Sequence, residues 1–144
     1  MRLNRSSIVA TVPVTNIEEA RRFYSDKLQL DLCESNTERG ELLYEAGGGT
    51  HILVYRRPTL PTSDSAALEF EVDSLEETMK SLRDKGIRFE ESRKSDVRTK
   101  SGMATMDGGR TAWFKDPAGN ILALSQSEMG SRVLSGQCSH IATG

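Results

Sequence analysis

An α+β fold of two tandem βαβββ modules is predicted by three features of this 144-residue chain. One segment repeats at a constant offset. In each copy a strand-like run leads into a capped amphipathic helix, and each helix is followed by further strand-like runs joined by glycine-containing turns. The repeat is read by placing "VTNIEEARRFYSDKLQL", from Val14, over "VDSLEETMKSLRDKGIR", from Val72, an ungapped offset of 58 (72 minus 14). Val14 falls on Val72, Ile17 on Leu75, Glu18 and Glu19 on Glu76 and Glu77, and Asp26-Lys27 on Asp84-Lys85.

The opening strands are Ser7–Val14 and Ala66–Val72; the second alternates apolar and polar residues with period two, as a half-buried strand does. A capping box follows each, Thr15-x-x-Glu18 and Ser74-x-x-Glu77. The first helix presents Ile17, Ala20, Phe23, Tyr24 and Leu28 as one apolar stripe, and the second presents Leu75, Met79 and Leu82. Gly86 suits the left-handed position after the second helix. Three strands are predicted after the first helix, over Asp31–Ser35, Glu41–Glu45 and Thr50–Arg56, with Gly47–Gly49 turning the last hairpin. After the second they fall on Ile87–Ser92, Thr111–Lys115 and Ile121–Gln126, with "DPAGN" as the hairpin turn. The Pro/Ser-rich stretch "RPTLPTSDS" reads as the linker between copies. Residues 1–126 are thus expected to form one domain, with modules at about 7–56 and 66–126 and a polar tail over 127–144.

Composition narrows the partners. Nineteen Lys and Arg against 21 Asp and Glu give a net charge of −2, without the basic excess of a general nucleic-acid binder. No run approaches the roughly 20 apolar residues of a membrane helix. The N-terminal stretch reads as a strand rather than a cleaved leader, so a cytoplasmic protein is expected. Cys33 and Cys138 form no disulfide framework and lack zinc-like spacing, and they read as idle or buried thiols. With two histidines in the chain, any mechanism that needs several imidazoles is excluded.

The paired modules, "VTNIEEARRFYSDKLQL" after the first strand and "WFKDPAGNILAL" near the end resemble the vicinal oxygen chelate superfamily. That group contains glyoxalase I, extradiol dioxygenases, fosfomycin-modifying enzymes and bleomycin-resistance proteins. The resemblance spans roughly Ile8 to Gln126 and implies a curved mixed sheet around a cleft, often completed by homodimerisation. It also implies a divalent metal held by histidines and glutamates from strand centres. Such a metal chelates neighbouring substrate oxygens and stabilises an enediolate or activates dioxygen.

Carried onto this chain, the family's ligand positions fall on Val9, Ala67 and Ala123, with the fourth near Leu53. The repeat supports the first two, since 9 plus 58 is 67. Alkyl groups replace the ligands, so no metal cofactor is expected; a divalent metal on displaced ligands is the alternative. If Val9 and Ala67 face the cleft, strand alternation adds Thr11, Pro13, Glu69 and Glu71. The opposite faces, Ile8, Ala10 and Val12 in one strand and Leu68, Phe70 and Val72 in the other, should pack under the helices. On the last strand Ala123 shares the cleft face with Ile121 and Ser125.

Glu69 is a candidate receptor for a cationic guest or a general base. Pairing with Arg110 or Arg98, or plain solvation, is the other reading; Glu71 reads more as a solvated strand end. Trp113, the single tryptophan, is either a stacking wall in the cleft or part of a dimer seam. His51 shares the face of Leu53 and stands as one candidate replacement ligand or as a surface residue. The stretch Ser92–Gly109 is long enough for a lid, with Arg93, Lys94, Arg98 and Lys100 either facing an anion or solvated; an extended strand is the alternative for its part Gly102–Met106. His140 lies in the tail. Three functions fit this pattern. They are a metal-free binding protein of the resistance type, holding an unidentified small molecule; a lyase, isomerase or dioxygenase with displaced metal ligands; and a regulatory or partner-binding domain.

Overall fold

A computed structural model of the chain describes residues 2–92, 98–106 and 108–127. The structure is α+β and divides into two compact units, 1–67 with 116–120, and 68–115 with the residues from 121 onward.

In the first unit the sheet order is β1-β4-β3-β2. It is built from β1 (Val9–Val14), β2 (Asp31–Asn36), β3 (Glu41–Glu45) and β4 (His51–Arg56). β1 runs parallel to β4, and the β2–β3 and β3–β4 pairs are antiparallel. Helix α1 (Ile17–Arg21) continues as a π-helical segment over Arg22–Lys27, in which the Leu28 amide reaches back to the Phe23 carbonyl. The wider winding lets two consecutive aromatics, Phe23 and Tyr24, both turn inward. They meet edge to face at 5.1 Å, and Tyr24 lies 5.9 Å from Tyr44. Under them lie Val12 and Val14 of β1, Leu42 of β3, and Ile52 and Val54 of β4, all buried. Each such side chain stabilises the fold by roughly 1.5–3 kcal/mol through removal from water.

The second unit carries a sheet of order β5-β9-β8-β7-β6. Its strands are β5 (Ala66–Glu71), β6 (Thr99–Lys100), β7 (Met103–Met106), β8 (Gly109–Lys115) and β9 (Ile121–Ser127). Helix α2 (Leu75–Asp84) buries Leu75, Met79 and Leu82, the stripe expected from the sequence. Gly86 ends it at φ +89°, and the amides of Gly86 and Ile87 close back onto Arg83 and Leu82 in a Schellman pattern. Ala112 and Phe114 of β8 and Leu122 and Leu124 of β9 complete the core, with Phe89 edge-on to Phe114 at 5.6 Å.

Four expectations are corrected. Asn16, not Thr15, caps α1, because its side-chain oxygen accepts from two amides, Glu18 N and Glu19 N, at 3.1 Å each. Ile8 is 83% exposed, since β1 begins one residue after it. The segment 87–92 makes an isolated bridge, Phe89 to Phe114, instead of a strand, because β7 already occupies the first half of β8 from Gly109 to Thr111. The stretch Ser92–Gly109 is not one long loop among the described residues: Met103–Met106 forms β7, on the part read as a strand extension, and Thr99–Lys100 pairs with it as β6. Arg93, Lys94, Cys138 and His140 lie outside the described residues. No described helix is long and apolar enough to cross a membrane.

Candidate functional site

The face of the first sheet opposite its buried side chains carries Val9 and Thr11 on β1 and His51, Leu53 and Tyr55 on β4. Parallel pairing sets Val9 beside His51, Thr11 beside Leu53, and Pro13 beside Tyr55. Val9 is 45% exposed, Thr11 is exposed and Leu53 is half-buried, while the intervening Val12, Ile52 and Val54 are buried. The period-two register predicted for these strands therefore holds.

In the second unit Trp113 and Ala123 are cross-strand partners, as are Thr111 and Ser125. These pairs share one face, and Ala112–Leu124 and Phe114–Leu122 share the other. Trp113 is half-buried, whereas Ala123 is only 2% exposed. On β5, Glu69 is exposed between half-buried Leu68 and Phe70, Glu71 is half-buried, and Ala67 is exposed. Arg110, one of the arginines offered as a partner of Glu69, instead donates to Glu76 Oε1 at 2.9 Å and Gln126 Oε1 at 3.3 Å. The same Gln126 oxygen accepts the Leu75 amide at the start of α2, at 2.7 Å.

The side chains of Val9, Leu53, Ala67 and Ala123 offer no donor atom. These residues do not fit the divalent metal that the fold implies, which needs imidazole, carboxylate or thiolate lone pairs.

The "DPAGN" turn has a structural task. Asp116 is 4% exposed, and its carboxylate accepts four hydrogen bonds. The Ala118 and Asn120 amides reach Oδ1 at 2.9 and 2.8 Å, and the Tyr24 hydroxyl and Asn120 Nδ2 reach Oδ2 at 2.7 and 2.8 Å. Asn120 Nδ2 also donates to the Pro13 carbonyl on β1 at 2.7 Å. Burial first, then the charge of Asp116 and the hydrogen bond to it, and last Tyr44, push the Tyr24 hydroxyl far above the usual phenol range. Burial also raises Tyr44, against the opposing effect of its hydrogen bond with Ser25.

Cysteine counting gives no hint of one further cluster. Cys33 is exposed rather than buried, and its sulfur lies with Glu45 and His51 in a group whose ligand atoms all fall within 4.8 Å of one another. The signal available in the sequence is the hairpin itself, since the Gly47–Gly49 turn sets Glu45 opposite His51. The approach of Cys33 depends on a β-bulge in β2 that no residue type announces.

The comparisons agree with this fold. The family model of the Glyoxalase/Bleomycin resistance protein/Dioxygenase superfamily matches residues 7–124. An antibiotic binding protein from Streptomyces sp. CB03234 is similar at a TM-score of 0.68 and 23% identity, over 89% of this chain and 100% of that one. A glyoxalase/bleomycin resistance protein from the same organism is similar at a TM-score of 0.62 and 25% identity, over 84% and 100%. A lactoylglutathione lyase from Agrobacterium tumefaciens is similar at a TM-score of 0.63 and 15% identity, over 88% and 97%. No curated protein sequence matches the chain. With the family's sequence pattern running across both units, the chain belongs to the Glyoxalase/Bleomycin resistance protein/Dioxygenase superfamily.

Proposed function

We propose that this protein binds a small molecule without the metal of its catalytic relatives, as a sequestering or resistance-type member of the superfamily. One observation carries the reading: Val9, Ala67, Ala123 and, near the fourth position, Leu53, onto which the resemblance carries the family's metal ligands, bear alkyl side chains. A chain that keeps the fold and loses every ligand keeps a binding surface while losing the Lewis acid that drives the chemistry. The similarity to an antibiotic binding protein supports the same direction. Trp113 offers a flat face, and Glu69 and Glu71 supply negative charge, so a planar aromatic cation is the guest chemistry that fits. Ala123, buried beside its cross-strand partner Trp113, is assigned to the backing of that surface, and Thr11 to the exposed face of the first sheet. A cytoplasmic homodimer without nucleic-acid or membrane partners is part of this reading.

The test is a thermal-shift and fluorescence titration against planar aromatic cations, with neutral and anionic analogues for comparison. Stabilisation by the cations, with a change in Trp113 emission that Glu69→Ala abolishes, is the expected result. Turnover of a carbonyl or catechol substrate that stops with a chelator would replace binding by enzymology. Co-purification with another protein, with no response to any compound, would make the chain a partner-binding domain.

A further inference from the structure

The geometry points to a second site, built from residues outside the guest-binding set: a thiophilic divalent-metal site formed by Cys33, Glu45 and His51. Three adjacent strands supply one residue each, β2 the cysteine, β3 the glutamate and β4 the histidine. Glu45 and His51 are directly opposed in the antiparallel β3–β4 pair. Across the other edge of β3, Asp31 opposes Glu45 and Leu32 opposes Tyr44, but Glu34 then opposes Leu43, so Cys33 is the extra residue of a bulge. A bulge re-aims the side chain it carries. Here it leaves the Cys33 sulfur grouped with the other two, with ligand atoms no more than 4.8 Å apart.

The donor set selects the metal. Sulfur, imidazole nitrogen and one carboxylate oxygen suit zinc and similar borderline ions, whereas magnesium and calcium prefer oxygen alone. In a tetrahedral zinc site, neighbouring donors stand about 3.5 Å apart for the usual bond lengths. Closure by roughly 1 Å is within reach of side-chain rotation, since Cys33 and Glu45 are exposed and His51 is only partly covered. The sulfur's present contact, 3.8 Å from the Asp31 carbonyl, is weak and easily given up. On binding, the Cys33 thiol passes its proton to the solvent, and the thiolate and carboxylate neutralise the dication with a neutral imidazole. Three protein ligands leave the fourth position to water or to an external ligand.

None of the three residues belongs to the guest-binding set of Thr11, Glu69, Glu71, Trp113 and Ala123, so the two readings fail separately. The experiment is titration of the reduced, chelator-treated full chain with Co²⁺, followed by displacement with Zn²⁺. A near-ultraviolet thiolate-to-cobalt band saturating at one metal per chain is expected. Losing even an outer-shell partner weakens metal sites about 10–100-fold, so Cys33→Ser and His51→Gln should each weaken binding at least tenfold. The tail supplies the necessary control, because Cys138 and His140 are the remaining thiol and imidazole. The Cys138→Ser/His140→Gln variant should bind like the wild type. No thiolate band, or a band that survives Cys33→Ser and vanishes with the tail substitutions, would overturn the site. Cys33 lies outside the core, so Cys33→Ser decides the matter even if His51→Gln disturbs the fold.

Discussion

The hydroxyl of Tyr24, on the π-helical segment, donates to Oδ2 of Asp116 across 92 residues of sequence and 2.7 Å of space. Tyr24 is 0% exposed and Asp116 4%, so water competes for neither group. The "DPAGN" hairpin turn is thereby fastened to the helix by this bond and to β1 by Asn120 on Pro13. Removing the hydroxyl alone, by Tyr24→Phe, keeps the ring contacts with Phe23 and Tyr44 and deletes one hydrogen bond to a charged acceptor. A loss of about 1.5–3 kcal/mol is expected in urea denaturation; a change below about 0.5 kcal/mol would mean the bond is not formed in solution.

The same pair makes stability depend on alkaline pH. An unfolded chain gives up its phenol proton near pH 10, but the buried Tyr24 keeps its own. Above that pH the native state binds more protons than the unfolded one, so stability falls as pH rises. The contribution of Tyr24 is complete below about pH 10 and is lost above it by up to about 1.4 kcal/mol per pH unit. Urea midpoints of the wild type and Tyr24→Phe, compared from pH 8 to 11, should converge above pH 10. A gap that stays constant would contradict the burial of the proton.

Ala123, the position to which the resemblance assigns the family's last ligand, offers a test of burial. At an open cleft, Ala123→Glu would be nearly neutral, within about 0.5 kcal/mol as for most surface changes. With 2% exposure the new carboxylate is buried without a designed partner, and a loss of at least about 2 kcal/mol is expected by thermal or urea unfolding. The direction separates a filled position from a vacant one.

Strand faces and helix stripes were legible because periodicity reports burial directly. Val12, Ile52 and Val54 alternate with Thr11, Leu53 and Tyr55 as a half-buried sheet requires. What was not legible depends on long-range pairing. The bulge at Cys33, the π-helical winding around Phe23 and the sharing of β8 between β7 and Phe89 leave no period behind them. The cap of α1 is an instructive case. The capping-box pattern selects Thr15, yet the repeat offset carries Ser74 back onto Asn16 (74 minus 58), the residue that in fact accepts the helix amides.

Cap assignment has its own measurement. Asn16→Ala should cost about 0.5–2 kcal/mol, because two amides lose their acceptor. Thr15→Ala, at an exposed residue outside the cap, should stay within about 0.5 kcal/mol. Equal losses in the two variants would return the cap to Thr15.

Asp116→Asn is the sharpest probe of the turn, because it changes hydrogen-bond polarity while nearly preserving shape. All four contacts to the carboxylate are donors: two backbone amides on Oδ1, the Tyr24 hydroxyl and Asn120 Nδ2 on Oδ2. An asparagine amide has one acceptor oxygen, which the two backbone amides claim. Its NH₂ group then faces Tyr24 and Asn120. The Tyr24 hydroxyl can rotate and accept, but the Asn120 amide nitrogen cannot, and two donors are left opposed in a buried place. The expected loss is about 1–3 kcal/mol. The loss should shrink in the Tyr24→Phe background if the hydroxyl and the carboxylate act as one unit, a coupling read from the double-mutant cycle. Additive losses would mean that Asp116 serves only its own turn and that the fastening to the helix contributes nothing beyond packing.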